Sequence, residues 1–305
     1  AQGNKQSLRC LILTPTRELA LQISESFNDY GQYSSLRNVV IFGGVSQHDQ
    51  VEKLKRRPEV LIATPGRLLD LMQQGYISLS EVSYLILDEA DRMLDMGFVH
   101  DVRRIISKVP AKRQTLFFSA TMPPDIVALS RDILTNPVRI EVTPPATTAE
   151  RINQSVWFVE KADKKDLLLR LMKEGTIERV LVFTRTKHGA DRVARILQKS
   201  SITAMAIHGD KSQNARQNAL QRFRDNSLKV LVATDIAARG IDIDNLTHVI
   251  NYDLPNIPES YVHRIGRTGR AGAAGTAISF CGTDERPYLK DIQRSEEHTS
   301  ELQSP

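Results

Sequence analysis

The sequence predicts an α/β protein of two consecutive domains, each a mostly parallel sheet with helices on both faces. Three observations carry that expectation. Short apolar runs recur along the chain and are continuous rather than alternating, as strands buried on both faces are. Stretches of helical period fall between them, the rhythm that packs helices against a parallel sheet. The rhythm breaks once, at Thr-Pro-Pro-Ala-Thr-Thr-Ala-Glu over residues 143–150, and then restarts. A chain of 305 residues also exceeds what one core usually serves. The expected division is residues 1–142, a linker at 143–150, and residues 151–293.

The first expected strand is Leu8–Leu13, followed by Thr14-Pro15-Thr16 and a helix with Leu19, Ile23 and Phe27 at i, i+4, i+8. Val39–Phe42 ends in Gly43-Gly44, and Val60–Ala63 ends in Thr64-Pro65-Gly66-Arg67. Tyr84–Leu87 runs into Asp88. Thr115–Phe118 runs into Ser119-Ala120-Thr121, and Pro123-Pro124 opens the next helix. In the second domain Val180–Phe183 leads to Thr184-Arg185-Thr186, and Ala204–Ile207 leads to His208-Gly209-Asp210. Val230–Ala233 leads to Thr234-Asp235, and His248–Asn251 precedes Tyr252-Asp253. Gly275–Cys281 is expected to close the second sheet. Polar residues gather where strands end, which is where such sheets bind ligands.

Composition narrows the class. Charged residues at 25% and hydrophobic residues at 41% describe a folded chain rather than a disordered one. A net charge of +5 favours a polyanionic partner only mildly. The two cysteines, Cys10 and Cys281, have no metal-ligand spacing and read as reduced structural thiols of a cytoplasmic protein. No apolar run is long enough to span a membrane, and no signal peptide is visible.

Two segments carry the chemistry. Asp88-Glu89-Ala90-Asp91 places acids at the end of a buried strand, where one carboxylate can hold Mg²⁺ through waters and the next can orient or deprotonate an attacking water. His263-Arg264-Ile265-Gly266-Arg267-Thr268-Gly269-Arg270 places three arginines among glycines that permit close approach to an anion. Acids for Mg²⁺ and arginines for a γ-phosphate are the two halves of a nucleoside triphosphatase site, here expected to be assembled between the two domains. A solvated acidic loop and a surface basic cluster are the plain alternatives.

The alternatives lose to the company these segments keep. Pro15-Thr16-Arg17-Glu18-Leu19-Ala20, Gly43-Gly44, Thr64-Pro65-Gly66-Arg67, Asp88–Asp91, Ser119-Ala120-Thr121, Val182-Phe183-Thr184-Arg185, Ala233–Asp242 and His263–Arg270 occur in the order of the DEAD-box RNA helicases. The chain resembles that family over residues 8–292, and its bacterial RhlE-like group most. The resemblance implies two RecA-like domains that bind ATP and Mg²⁺. It implies that Asp88 holds the metal through water, that Glu89 acts on the water, and that Asp91, Ser119, Thr121 and His263 couple nucleotide to domain closure. It implies nucleotide contacts from Gly240, Asp242, Arg267 and Arg270, the two arginines as fingers on transition-state charge. It implies sequence-independent RNA contacts from Pro15, Thr16, Arg17, Gly43, Gly44, Thr64 and Arg67, and from Arg185, Gly209 and Thr234 in the second domain. Hydroxyls, backbone N–H groups and arginines suit phosphate and 2′-OH contacts. Each threonine also reads as a helix N-cap.

No G-x-x-x-x-G-K-[ST] occurs in the sequence, and the family carries that loop upstream of the segment where this chain begins. The expectation is a first domain lacking its phosphate-loop portion: an N-terminally truncated chain that hydrolyses almost no ATP by itself. Residues 1–142 alone are expected to aggregate through an unpaired strand edge, and residues 151–293 to fold alone. Residues 294–305 read as an artefactual tail with no apolar period. A non-catalytic RNA-binding or annealing module is the competing function, disfavoured by the intact Glu89, Arg267 and Arg270. A DNA helicase is the third. A monomer working with ribosome-assembly or RNA-decay factors is expected.

Overall fold

The computed structural model describes residues 7–141, 152–175, 177–238, 241, 243, 246–269 and 275–301. It divides into two compact units, residues 1–140 and 141–305. The linker stretch 143–150 lies outside the described residues.

The first unit runs β1 (Cys10–Leu13), α1 (Arg17–Tyr30), β2 (Asn38–Ile41), α2 (Gln47–Leu54), β3 (Val60–Ala63) and α3 (Pro65–Gln73). It continues through β4 (Tyr84–Leu87), α4 (Ala90–Asp95), α5 (Val99–Ile106), β5 (Gln114–Phe117) and α6 (Pro124–Ile133). Its sheet has the order β2-β3-β1-β4-β5, and every pairing is parallel. The interior strands bury best: β3 is buried along its whole length, whereas the edge strand β5 alternates between exposed and half-buried. One face is sealed by a large core that includes Leu11, Leu61, Leu68, Leu85 and Ile105. The other is covered by α1 through Ala20, Ile23 and Phe27. The contact face of α1 thus takes Ala20 in place of the expected Leu19, because packing on the sheet selects positions i, i+3, i+7.

The second unit runs β6 (Ile152–Phe158), α7 (Lys164–Lys173), β7 (Val180–Phe183), α8 (Lys187–Lys199), β8 (Ala204–Ile207) and α9 (Gln213–Arg224). It continues through β9 (Val230–Ala233), α10 (Asp235–Ala238), β10 (His248–Asn251), α11 (Pro258–Ile265), β11 (Gly275–Cys281) and α12 (Arg286–Glu301). Its sheet has the order β6-β11-β10-β7-β9-β8, again parallel throughout. β7 and β9 are buried along their whole length.

Two expectations need correction. β11 does not close the sheet; β6 pairs with it over seven residues and forms the edge. The polar, half-exposed sequence Ile-Asn-Gln-Ser-Val-Trp-Phe of β6 lacks the continuous apolar run of an interior strand, which is why it does not read as one. The backbone of α12 runs on to Glu301, into the segment 294–305. Three strands also shift by one or two residues: β1 starts at Cys10, β2 spans Asn38–Ile41 and β5 spans Gln114–Phe117.

Candidate functional site

In a parallel sheet all carboxyl ends lie along one edge, and helix N-termini start there. In the first unit this edge gathers every residue expected to act: Thr14–Arg17 after β1, Gly43 and Gly44 after β2, Thr64–Arg67 after β3, Asp88–Asp91 after β4, and Ser119–Thr121 after β5.

The acidic segment is tightly determined. The Asp88 N–H donates to the Leu13 carbonyl at 2.9 Å, extending the β1–β4 ladder by one residue. Asp88 Oδ1 accepts the Glu89 N–H at 3.0 Å. Burial raises the Asp88 carboxyl above its ordinary value, against the smaller opposing pull of that hydrogen bond and of Arg92. A desolvated carboxylate of this kind gains from a nearby cation. Glu89 caps α4 in the left-handed region, at φ 51° and ψ 52°, a conformation that costs a non-glycine residue about 1 kcal/mol or more. Its Oε1 pairs with Arg92 at 2.6 Å.

Asp91 is 6% exposed and anchors a polar network. Its Oδ2 accepts the Thr121 N–H and the Thr121 hydroxyl, each at 2.9 Å. Its Oδ1 accepts the Arg92 N–H at 3.1 Å. The Asp91 N–H donates to Ser119 Oγ at 3.2 Å, and Ser119 Oγ donates to the Thr121 carbonyl at 2.7 Å. Asp91, Ser119 and Thr121 are therefore one unit of structure. His263, expected to join them, belongs to the second unit and is half-buried.

Beside the acids lies a surface of small and basic groups. Thr16 caps α1, accepting the Leu19 N–H at 3.3 Å. Pro15 is buried. The Arg17 guanidinium lies across Gly44, which has φ 77°; a Cβ there would collide with the guanidinium. Gly43 borders open space. Thr64 precedes α3 and makes no side-chain cap. Arg67 Nη2 donates to the Val45 carbonyl at 3.3 Å, while its Nη1 is buried with no hydrogen-bond partner among the described residues. Donors arranged this way suit phosphate oxygens or 2′-hydroxyls.

In the second unit Arg264 and Arg267 have different surroundings. Arg264 is 1% exposed, stacks over the Phe183 ring and grips Asp235 with Nε at 2.5 Å and Nη2 at 2.8 Å. Its Nη1 donates to Asn251 Oδ1 at 3.1 Å and to the Asp253 carbonyl at 2.7 Å. That guanidinium is spent on the fold. Arg267 is 8% exposed, and its Nη1 donates to the Ile241 carbonyl at 2.8 Å. Gly240, Asp242 and Arg270 lie outside the described residues.

Arg185 donates Nη2 to Glu285 Oε1 at 2.7 Å, and its backbone N–H donates to Asp253 Oδ2 at 3.0 Å. Glu285 is 2% exposed and also accepts Lys164 Nζ at 2.5 Å and the backbone N–H groups of Leu254 and Gly282. Gly209 is exposed beside the Lys187 side chain, and Lys187 pairs with Asp210 at 2.6 Å. Thr234 is buried and its carbonyl accepts from Ala237 and Ala238, opening α10. Sequence reading gave no role to Arg92, Lys164, Asp235 or Glu285. The i,i+3 spacing of Glu89 and Arg92, and Asp235 two residues after β9, are signals that were present.

A half-buried, desolvated carboxylate such as Asp88 at the end of β4 fits Mg²⁺ held by one carboxylate and waters, the ion keeping most of its hydration shell.

Residues 2–129 match the DEAD/DEAH box helicase family, and residues 163–272 match the helicase conserved C-terminal domain. The chain is 45% identical over 288 residues to the ATP-dependent RNA helicase DBP2 of Chaetomium thermophilum, covering 92% of this chain and 52% of that protein. It is 46% identical over 284 residues to the probable ATP-dependent RNA helicase ddx17 of Dictyostelium discoideum, covering 92% of this chain and 36% of that protein. The chain thus spans about half the length, or less, of these relatives. Among solved structures, S. cerevisiae Dbp5 bound to RNA and ADP BeF3 superposes with TM-score 0.82 at 32% identity, covering 95% of this chain and 75% of that one. A DEAD box protein from Methanococcus jannaschii matches at 39% identity and TM-score 0.53, covering 96% of this chain and 79% of that one.

Proposed function

The chain belongs to the DEAD/DEAH box helicase family, and on that premise we propose that it is the core of an ATP-dependent RNA helicase, coupling RNA-stimulated ATP hydrolysis to local opening of RNA duplexes. One observation carries the reading most: Asp91 ties Ser119 and Thr121 into a single hydrogen-bonded network directly behind Asp88 and Glu89. A surface acidic loop has no need of a buried aspartate reaching across to a second loop. Such a network can report the state of a nucleotide at the acids to the neighbouring strand end.

In this reading Mg²⁺, held by Asp88 through waters, supplies charge neutralisation for the phosphates. Glu89 orients the attacking water and takes its proton. Arg267 and Arg270 bring positive charge to the transition state. Gly240 and Asp242 contact the nucleotide, and His263 extends the Asp91 network. The surface of Thr16, Arg17, Gly43, Gly44, Thr64 and Arg67 holds the sugar–phosphate strand, with Arg185, Gly209 and Thr234 contributing from the second unit. The RhlE-like subgroup, a monomeric state, service with ribosome-assembly or RNA-decay factors and a cytoplasmic location belong to the same proposal; the free thiols of Cys10 and Cys281 agree with a reducing compartment.

RNA binding tests the reading on this chain. Anisotropy of labelled oligo(rU) should show saturable, salt-sensitive binding. Arg67→Ala removes a guanidinium with an orphaned nitrogen and should weaken binding roughly tenfold. Binding that is absent, or that ignores Arg67, contradicts the RNA assignment.

A further inference from the structure

β2 is an edge strand, paired only with β3. The Arg37 and Ile41 carbonyls accept from Val60 and Thr64 of the β3 segment, each at 3.1 Å. In a parallel ladder alternate residues bond to the same side, so Asn38, Val40 and Phe42 turn their backbone N–H and C=O groups away from β3. Phe42 shows what that side accepts. Its N–H donates to Gln50 Oε1 at 3.0 Å and its carbonyl accepts Gln50 Nε2 at 3.2 Å, the pair of bonds a neighbouring strand would make. Val40, one step along, has no such partner among the described residues.

The open edge lies at the floor of a cavity of about 560 Å³. Leu21, Ser24 and Asn28 of α1 form one wall, at i, i+3, i+7, and the α2 side presents Gln50, Lys53 and Arg56. Lys53 and Arg56 are exposed and make no ion pair among the described residues, while Asp49 is the only acid in the lining. An edge strand with unpaired backbone recruits an extended segment readily. Cations along one wall select acids on it.

We propose that this trough receives an extended, acidic peptide segment of a partner protein, which adds as a strand beside β2 and sets its carboxylates against Lys53 and Arg56. RNA fits less well. Val40 offers a carbonyl acceptor as well as an N–H, a pair that a peptide backbone matches and a phosphate does not. The proposal is independent of the helicase reading.

The test exposes the full chain to an array of eight-residue peptides alternating Val or Thr with Asp or Glu, beside the same peptides carrying Lys at the acidic positions. Acidic peptides should bind saturably and shift the Val40 amide resonance. N-methylation of the peptide backbone should abolish binding, and Lys53→Glu with Arg56→Glu should weaken it roughly tenfold or more. Both side chains are exposed, so the double variant should keep the fold and its circular dichroism. The proposal is overturned if no peptide binds below about 1 mM, if lysine peptides bind equally, if the charge reversal changes nothing, or if oligo(rU) takes the trough in preference to the acidic peptides.

Discussion

Asp91 accepts two hydrogen bonds from Thr121, one from the backbone N–H and one from the hydroxyl, both at 2.9 Å. The carboxylate is buried and Thr121 is exposed, so the pair fixes the loop after β5 onto the start of α4. Thr121→Val keeps the shape and the backbone bond but removes the hydroxyl donor. It should cost about 1 kcal/mol, discounted for the exposed partner, and lower the urea midpoint of the chain. Thr121→Ser should restore it. An unchanged midpoint in the valine variant contradicts the role given to the hydroxyl.

Arg264 should be the arginine that the fold tolerates losing least. Its removal leaves Asp235 without its bidentate partner and strands Asn251 and the Asp253 carbonyl. Arg264→Met should destabilise the second unit by about 3–5 kcal/mol. Arg264→Lys should not rescue it, because an ammonium cannot reproduce the planar fork. Guanidinium denaturation checks both; full rescue by lysine contradicts the geometry.

Burial raises the Asp88 carboxyl above its ordinary 3.8. The folded state then binds a proton more tightly than the unfolded chain, so this group's contribution to stability falls as pH rises from about 3.8 through the raised value and stays low above it. Asp88→Asn, which mimics the protonated carboxyl and can still accept the Glu89 N–H, should raise Tm at pH 7, with a gain that shrinks as pH falls toward 4. A variant less stable than the parent at pH 7 contradicts this.

Lys164 and Glu285 form a buried ion pair at 2.5 Å across 121 residues of chain, and Glu285 also serves Arg185, Leu254 and Gly282. Glu285→Leu should therefore cost more than Lys164→Met, and the double variant less than the two combined. A double-mutant cycle by chemical denaturation reads this directly, and additive losses contradict the coupling.

These partners explain what was legible and what was not. β3, β4, β7, β8 and β9 follow from continuous apolar runs, and β10 and β11 from apolar runs that also carry Asn251 and Ser279, buried polar residues hydrogen-bonded to each other. β6 does not, because polar side chains such as Asn153 and Gln154 interrupt its apolar ones. The acids, glycines and arginines of the candidate site were visible as residue types at strand ends. The separation of Arg264 from Arg267 was not, since the partners of Arg264 are Asp235 after β9 and Asn251 and Asp253 at the end of β10, two strand ends distant in sequence. The Lys164–Glu285 pair joins elements distant in sequence, and no local pattern reports it. The left-handed backbone of Glu89 was equally invisible; beside it the Ala90 N–H donates to the Phe118 carbonyl at 3.0 Å, a contact from a distant strand end.

The central claim is that Glu89 serves ATP hydrolysis, and one measurement addresses it most directly. It is the RNA-stimulated ATPase rate of Glu89→Gln against its parent, both carrying a family phosphate-loop segment fused ahead of Ala1, with oligo(rU) affinity measured alongside. Turnover should fall about 100-fold or more with RNA affinity retained. Hydrolysis that survives the substitution, or RNA affinity that falls with it, contradicts the role assigned to Glu89.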